Sequence, residues 1–235
     1  MKHKIWKALR ERNITFEGSH DIHTPQELVE EILSRIKLEG SILVLFNVEF
    51  VISLVYNYNI DPKKITFYSD HENKNKIADR LGVKIIESLD IDMKFDVVIG
   101  NPPFQSEIKG DGSAWPLFVK KSFELVKTEG IVSLVLPSVF GLPGPNIRKG
   151  KINVWKEYIN QSSLKHLNLG QASSYFKNVG LSKDYFGYFI TQSKNNKIKT
   201  KVQTNKDIFE IDSLDFDYLP VRGDRIDFSI EDSAL

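Results

Sequence analysis

The chain contains no cysteine among its 235 residues. A disulfide framework, a thiolate metal site and a cysteine nucleophile are therefore all excluded. Long hydrophobic runs are also missing: no apolar stretch approaches the ~20 residues that a helix needs to cross a bilayer, and no apolar segment follows the basic N-terminus. We expect a protein of the reducing cytoplasm with no membrane partner.

Two other kinds of site have little support in the sequence. Five histidines are scattered without ligand-like spacing to acids, and His20, Asp21 and His23 form the only cluster. We interpret that cluster as a solvated lead-in to a helix, and we predict no metal site. The phosphate-binding pattern Gly-x-x-x-x-Gly-Lys is absent, which argues against a nucleotide hydrolase.

Charge is balanced overall but unevenly distributed along the chain. The formal net charge is +1, yet residues 194–206 contain five lysines and no acid, and acids are frequent in the residues that follow. The lysine segment is either a solvated hairpin or a strip that contacts phosphates, and the sequence does not separate these interpretations.

Short β-branched apolar runs alternate with segments of helical period. This pattern is typical of an α/β domain with a largely parallel sheet. The predicted helices are 25–37, 50–58, 71–81 and 115–127, and the predicted strands are 42–46, 65–69, 83–86, 95–99, 131–136 and 185–191. Thr24 and Glu27 have the spacing of a capping box at the start of the first helix.

The chemistry is expected in the loop after the fourth predicted strand, at Asn101-Pro102-Pro103-Phe104. In an open parallel sheet, ligands bind beyond the carboxyl ends of the strands. Two prolines stiffen the turn and leave carbonyls free to accept. The side-chain oxygen of Asn101 and the carbonyl of Pro102 can each accept one hydrogen of a planar amine, and Phe104 can stack on a base.

The run from Phe95 to Phe104 resembles motif IV of the amino-methyltransferases, and the order of the other motifs is similar to that of restriction-modification N6-adenine DNA methyltransferases. The resemblance covers roughly residues 20 to 190. It implies a class I, Rossmann-like fold with a mainly parallel seven-stranded sheet flanked by helices. It also implies S-adenosylmethionine as cofactor, DNA as partner, and a bacterial, archaeal or phage-infected cell as the setting.

The resemblance assigns several residues to the cofactor. Thr24 and Pro25 correspond to motif X, which lies over the methionine end of the cofactor. Asp70 follows the second strand, where the family has an acid for the ribose hydroxyls. Asp90, or with less support Glu87, corresponds to the acid near the adenine ring.

The turn after the first strand departs from the family, because Phe46-Asn47-Val48-Glu49-Phe50 contains no glycine. Glycine permits close approach and a positive φ; asparagine tolerates only the second. Either the turn is rebuilt, with Phe46, Asn47 and Glu49 at the cofactor and Glu49 holding its amino group, or cofactor binding is weakened or lost.

Further resemblances lie in the second half of the chain. Trp115 to Phe118, Gly130 and Pro137-Ser138 are similar to the segments after the catalytic loop, and Tyr175 to Val179 with Ser182 resembles motif VIII. Phe176 would then be the second aromatic wall, opposite Phe104, around a flipped base.

We predict two regions: a catalytic domain with a helical lead-in at 1–192, and a C-terminal extension or reduced target-recognition region at 193–235. The lysine segment, the loop at 141–150, a separate recognition subunit or a further C-terminal domain could read the DNA sequence. Two other functions stay open: an amino-methyltransferase acting on RNA or a protein glutamine, and a catalytically silent module that binds nucleic acid or a partner subunit.

Overall fold

A computed structural model describes residues 23–104, 113–137, 152–169, 175–176, 186–194, 198–204, 207–211, 221–222 and 225–226. Several predicted features lie outside these residues. They are His20 and Asp21, the loop at 141–150, Ser138, most of motif VIII including Ser182, and Lys197 and Lys206 of the lysine segment.

The helices and strands follow the predicted order. The α-helices are α1 (Gln26–Leu33), α2 (Val48–Tyr56), α3 (Glu72–Arg80) and α4 (Trp115–Leu125). The strands are β1 (Ile42–Leu45), β2 (Ile65–Tyr68), β3 (Lys84–Ile86), β4 (Phe95–Gly100), β5 (Val126–Pro137), β6 (Ser163–Leu169), β7 (Phe186–Gln192), β8 (Thr200–Thr204), β9 (Ile208–Ile211), β10 (Val221–Arg222) and β11 (Arg225–Ile226). Shorter helical turns cover Pro62–Lys64 and Trp155–Ile159.

The main sheet is mixed, with strand order β3-β2-β1-β4-β5-β7-β6-β8-β9. Strands β1 to β5 pair in parallel, and β7 is antiparallel to both β5 and β6. Strand β4 lies between β1 and β5, so the loop that leaves it opens at the middle of the sheet. Within the residues that the structure describes, the sheet has nine strands and the predicted count of seven was wrong, because β8 and β9 extend the sheet beyond β6.

The central strands are buried on both faces. In β1, Ile42 and Val44 belong to one core cluster while Leu43 and Leu45 belong to the other. This arrangement explains why β1 reads as an uninterrupted apolar run, since a parallel strand covered by helices on both sides has no polar face. Packing in these two cores holds β1 and β4 in place and so determines where the two strands end.

Strand β6 was not predicted, because its buried positions include the polar residues Ser163, His166 and Asn168. Strand β8 falls within the lysine segment and pairs with β9 as an antiparallel hairpin. Lys199 and Lys201 are exposed there, and Lys194 pairs with Glu129 at 2.7 Å. The division of the chain at residues 192 and 193 stays a prediction.

The predicted capping box at α1 was wrong. Pro25, and not Thr24, precedes the helix, and its carbonyl accepts from the backbone N–H groups of Leu28 and Val29 at 3.1 Å. The helix is also shorter than predicted and ends at Leu33. Thr24 has a different partner, because its hydroxyl faces the loop that leaves β4.

Candidate functional site

The loop after β4 begins with a glycine for a steric reason. A Cβ atom on Gly100 would lie 2.4 Å from the carbonyl oxygen of Leu45 and 2.8 Å from its Cβ, which is closer than real Cβ contacts. The last residues of β1 and β4 therefore approach each other more closely than side chains permit. This approach brings Asn101 beside the turn that follows β1.

Two buried hydrogen bonds hold Asn101. Its backbone N–H donates to the side-chain oxygen of Asn47 at 3.0 Å, and its Nδ2 donates to the Thr24 hydroxyl oxygen at 3.2 Å. Thr24, Asn47 and Asn101 come from three separate segments of the chain. Three residues that the sequence assigned to catalysis or to the cofactor are thus in direct contact.

Burial decreases along the loop. Asn101 is 8% exposed and Pro102 is buried, whereas Pro103 and Phe104 are half-buried. The carbonyl of Phe104 accepts from the backbone N–H of Ala114 at 3.0 Å, just before α4 begins. The loop is therefore anchored at both ends, and its aromatic residue reaches the surface.

The turn after β1 has a left-handed residue without a glycine. Phe46 has a φ of 66°, whereas Asn47, the residue we thought able to tolerate a positive φ, has a φ of −107°. The Phe46 ring is buried edge-on against Tyr68 and Phe118, with ring centroids 5.2 and 4.7 Å apart. Such a backbone costs about 1–3 kcal/mol in a non-glycine residue, and the surrounding packing must offset it.

Glu49 follows in the first turn of α2 and is 2% exposed. One carboxylate oxygen pairs with Nδ1 of His23, whose side chain is 38% exposed and therefore still meets solvent. The other oxygen, Oε2, has no hydrogen-bond partner among the described residues. A buried carboxylate oxygen in that state is a site for a donor or a cation.

Asp70 and Asp90 both act on the same tyrosine, Tyr68. Burial and the nearby carboxylates of Asp70 and Asp90 raise the pKa of Tyr68. Both acids are exposed, and Lys121 donates to Asp90 at 2.6 Å and lowers its pKa. The two acids predicted for the ribose and the adenine ring therefore both lie within electrostatic range of Tyr68, and Glu87 is exposed three residues before Asp90.

Phe104 and Phe176 share one hydrophobic cluster. Phe176 is a buried member of the core on the α1 side of the sheet, and Phe104 packs against the same core as a half-buried residue. The two predicted walls of the base pocket are therefore on the same side of the sheet, although Phe176 presents little surface.

A polar network that the sequence did not reveal ties α1 to this region. Glu31 accepts from the hydroxyls of Tyr175 and of Tyr188, the latter at 2.5 Å, and from Arg35 at 3.3 Å. Burial opposes ionisation, but these donors together lower the pKa of Glu31. Burial and Glu31 raise the pKa of Tyr175 to about 12. The i, i+4 spacing of Glu31 and Arg35 was the only local signal of the network.

Burial also lowers the pKa of a histidine beside this network. His166 stacks on Tyr188 with ring centroids 5.2 Å apart, and burial lowers its pKa to about 4. It is therefore uncharged at neutral pH. Within the described ranges, no group of three histidines and acids is arranged to hold a metal ion, and no helix has the length and apolar composition to span a bilayer.

Part of the chain matches a known protein family. Residues 44–159, just under half of the chain, match the family described as Eco57I restriction-modification methylase. The matched range contains the turn after β1, the acids at 70 and 90, and the loop at 101–104. A search of curated proteins finds no significant match.

Solved structures share the fold at low identity. A chain of a type I restriction-modification system is 13% identical, with a TM-score of 0.59 over 86% of this chain and 49% of that one. The type IIG restriction endonuclease BpuSI is 18% identical, with a TM-score of 0.59 over 86% of this chain and 28% of that one. A protein of Listeria monocytogenes described as a class I S-adenosylmethionine-dependent methyltransferase is 13% identical, with a TM-score of 0.53 over 86% and 72%.

These matches confirm the predicted fold class, a class I methyltransferase fold. The chain spans about half of the type I protein and less than a third of BpuSI.

Proposed function

We propose that this chain transfers a methyl group from S-adenosylmethionine to the N6 amino group of adenine in DNA. The observation that carries the proposal is the position of Asn101: it leaves the central strand β4 of a class I methyltransferase sheet and is held from two sides. The match to a restriction-modification methylase family supports DNA as the substrate.

The chemistry follows from the acceptors in the loop. With Nδ2 of Asn101 directed at Thr24, its Oδ1 is left to accept one hydrogen of the adenine amine, and the Pro102 carbonyl accepts the other. Both acceptors draw the nitrogen lone pair out of conjugation and toward the methyl donor. Because two prolines fix the loop, this orientation requires little rearrangement during the reaction.

The residues around the turn fit the proposed cofactor. When bound, S-adenosylmethionine supplies an electrophilic methyl group on a sulfonium centre. The Oε2 of Glu49, which has no hydrogen-bond partner in the described part of the chain, would suit its ammonium group, and Asp70 and Asp90 would provide acceptors for ribose hydroxyls and the adenine ring. Phe46 would supply apolar surface to the same site. The class I fold and the methylase match both support this cofactor.

Adenine N6 is hidden inside a base-paired duplex, so the base has to leave the stack, which costs a few kcal/mol. We assign Phe104 and Phe176 to the pocket that receives it, and stacking would offset the cost at about 1–3 kcal/mol per base. Phe104 is half-buried, so part of its surface can meet a base, whereas the buried Phe176 would have to become more accessible.

Recognition of the DNA sequence is proposed to need more than this fold. The type I system and BpuSI chains are considerably longer than the segment they share with this chain. A separate recognition subunit or a further C-terminal domain would supply the missing base contacts. The exposed Lys199, just before β8, and Lys201, within β8, would then contribute phosphate contacts.

One observation favours a second candidate, a methyltransferase-like module with weak or absent catalysis. Phe46, Asn47 and Glu49 are all buried in the turn where glycines would admit the cofactor. If these side chains keep their positions, the cofactor has less room than in a glycine-rich turn. Such a module would bind DNA or a partner subunit through the same surface.

Methyl transfer from radiolabelled S-adenosylmethionine to DNA tests the proposal directly. DNA containing adenine should acquire label, and matched DNA in which N6-methyladenine replaces adenine should not. RNA and a glutamine-containing protein serve as competing acceptors. Label in either of them, with none in DNA, contradicts the proposal.

Calorimetry with S-adenosylhomocysteine separates the enzyme from the silent module. An active enzyme should bind it and gain thermal stability by RT ln(1 + [L]/Kd), which is about 2.7 kcal/mol at a ligand concentration of 100 Kd. The absence of both binding heat and thermal stabilisation would favour the silent module.

A further inference from the structure

We infer that Thr24 and Asn47 act as positioning residues for Asn101, rather than as cofactor contacts. The inference rests on the proposed function, because it concerns how the acceptor amide is held. The resemblance assigns Thr24 to the cofactor, and Asn47 would lie there if the glycine-free turn is rebuilt; the structure gives both of their side chains a contact with Asn101.

Burial and existing hydrogen bonds argue against direct cofactor contact. Asn47 is 0% exposed and Thr24 is 1% exposed, whereas Asn101 keeps 8%. Glu49 is almost equally buried, but its Oε2 has no hydrogen-bond partner among the described residues. Asn47 Oδ1 and Thr24 Oγ1, by contrast, each accept a hydrogen bond from Asn101, so these two oxygens are engaged in holding it.

The two bonds restrain Asn101 in different ways. The bond from its backbone N–H to Asn47 Oδ1 fixes where the loop starts, immediately after Gly100 passes β1. The bond from Nδ2 to Thr24 Oγ1 fixes the rotation of the side-chain amide. Together they define both the location of the amide and the direction in which its oxygen points.

The rotation matters because only one orientation is useful. An exocyclic amine presents hydrogens to Asn101, so the amide must offer its oxygen and turn its NH₂ group away. That NH₂ group is then directed into the protein and needs an acceptor. The Thr24 hydroxyl oxygen is in that place, and a valine at the same position would offer none.

Both supporting residues are themselves anchored. Thr24 immediately precedes Pro25, whose carbonyl accepts the first backbone hydrogen bonds of α1. Helix α1 is in turn bound to β7 by the hydrogen bond from the Tyr188 hydroxyl to Glu31. Asn47 follows the left-handed Phe46, and its carbonyl accepts from Phe50 at the start of α2. The unusual turn at Phe46 thus directs Asn47 toward β4.

Two matched pairs of variants test the inference in the full chain. Thr24→Val removes the hydroxyl while keeping the shape, and Thr24→Ser keeps the hydroxyl. Asn47→Leu removes the acceptor, and Asn47→Asp keeps an acceptor oxygen. For each variant, the single-turnover rate of methyl transfer to adenine DNA and the Kd for S-adenosylhomocysteine are measured.

We expect Thr24→Val and Asn47→Leu to slow transfer by about 10- to 100-fold, the size expected from misplacing a reacting group. The Kd for S-adenosylhomocysteine should change by less than about 3-fold, and Thr24→Ser should recover most of the rate. A Kd that rises in proportion to the loss of rate would assign these residues to the cofactor and overturn the inference, as would an unchanged rate in Thr24→Val.

A second readout does not depend on activity. Hydrogen exchange of the Asn101 side-chain amide, followed by ¹⁵N NMR and assigned with Asn101→Asp, should be slow in the wild-type chain and in Thr24→Ser. It should be at least about 10-fold faster in Thr24→Val, because an amide hydrogen loses its buried acceptor. Equal exchange in the wild type and Thr24→Val would overturn the inference, whereas absent methyl transfer by a wild type with the expected exchange pattern would contradict only the proposed function.

Discussion

The side-chain oxygen of Asn47 accepts the backbone N–H of Asn101 at 3.0 Å, across 54 residues of chain. The bond joins the turn after β1 to the loop after β4. The first belongs to the expected cofactor region and the second to the expected acceptor region. A change in the turn that displaces Asn47 should therefore also displace Asn101, the residue that we assign to binding the amine.

Replacing Asn101 should strongly slow methyl transfer without unfolding the chain. Asn101→Ala removes the side-chain acceptor for the amine, and loss of one preorganised polar group at a reacting centre commonly lowers the rate by about 10²- to 10³-fold. Single-turnover assays measure the rate, and circular dichroism follows the fold. Asn73→Ala, at an exposed asparagine of α3, is the control. Normal transfer by Asn101→Ala would refute the site assignment.

Phe104→Ala should weaken capture of the extrahelical base more than cofactor binding. The lost stacking is expected to reduce DNA affinity by about 1–3 kcal/mol. Fluorescence of 2-aminopurine at the target position reports the flipped base, and calorimetry with S-adenosylhomocysteine reports the cofactor site. Phe104→Tyr preserves the ring and should retain most of the affinity. Equal losses of both affinities would show that Phe104 does not act on the base specifically.

Gly100→Ala should destabilise the fold, because the new methyl group would meet the Leu45 backbone at 2.4 Å. Overpacking of this kind costs about 1–3 kcal/mol. Urea unfolding measures the change, and Ser133→Ala on the neighbouring strand β5 is a control that adds no atom. A Gly100→Ala chain as stable as the wild type would mean that β1 and β4 can separate at little cost.

Asp96 should make stability fall in acid. It accepts from Lys127 and from the backbone and hydroxyl of Ser41, and these contacts, with Lys127 first, lower its pKa from 3.8 to about 2. Because the folded pKa lies below the unfolded value, the stabilisation is present above pH 4 and is lost as the pH falls toward 2. After allowance for solvent screening of this partly exposed group, the contribution is about 1 kcal/mol.

The comparison of Asp96→Asn with the wild type tests this pH dependence. The difference in the free energy of unfolding, measured in urea at several pH values, should be largest near neutral pH and should shrink below pH 4. A difference that stays constant from pH 7 to pH 2 would show that ionisation of Asp96 does not contribute.

The features that could be predicted from the sequence are those that depend on residues close together in the chain. Apolar runs and helical periods gave the order of elements, and the position of Asn101 followed from the rule that parallel strands end at one edge. Thr24 shows the limit of such reasoning. Its spacing to Glu27 satisfied a local capping rule, but its hydroxyl contacts Asn101, 77 residues away. The spacing of residues in the sequence does not indicate which of these two partners the Thr24 hydroxyl contacts.

Strand β6 and the Glu31 network were missed for a related reason. Residues such as His166 are polar by composition and buried in the fold, so hydropathy assigns them to the surface. Their burial depends on partners from distant segments, as when Tyr188 of β7 covers the ring of His166. Such partners become visible only when the sheet order is known.

The left-handed Phe46 also has an evolutionary consequence. A glycine adopts that conformation by itself, whereas Phe46 depends on the rings of Tyr68 and Phe118 that enclose it. The loss of glycine from this turn should therefore be accompanied, among related sequences, by aromatic residues at positions 68 and 118. A sequence that regains the glycine would release those two positions from that constraint, and they should then vary freely.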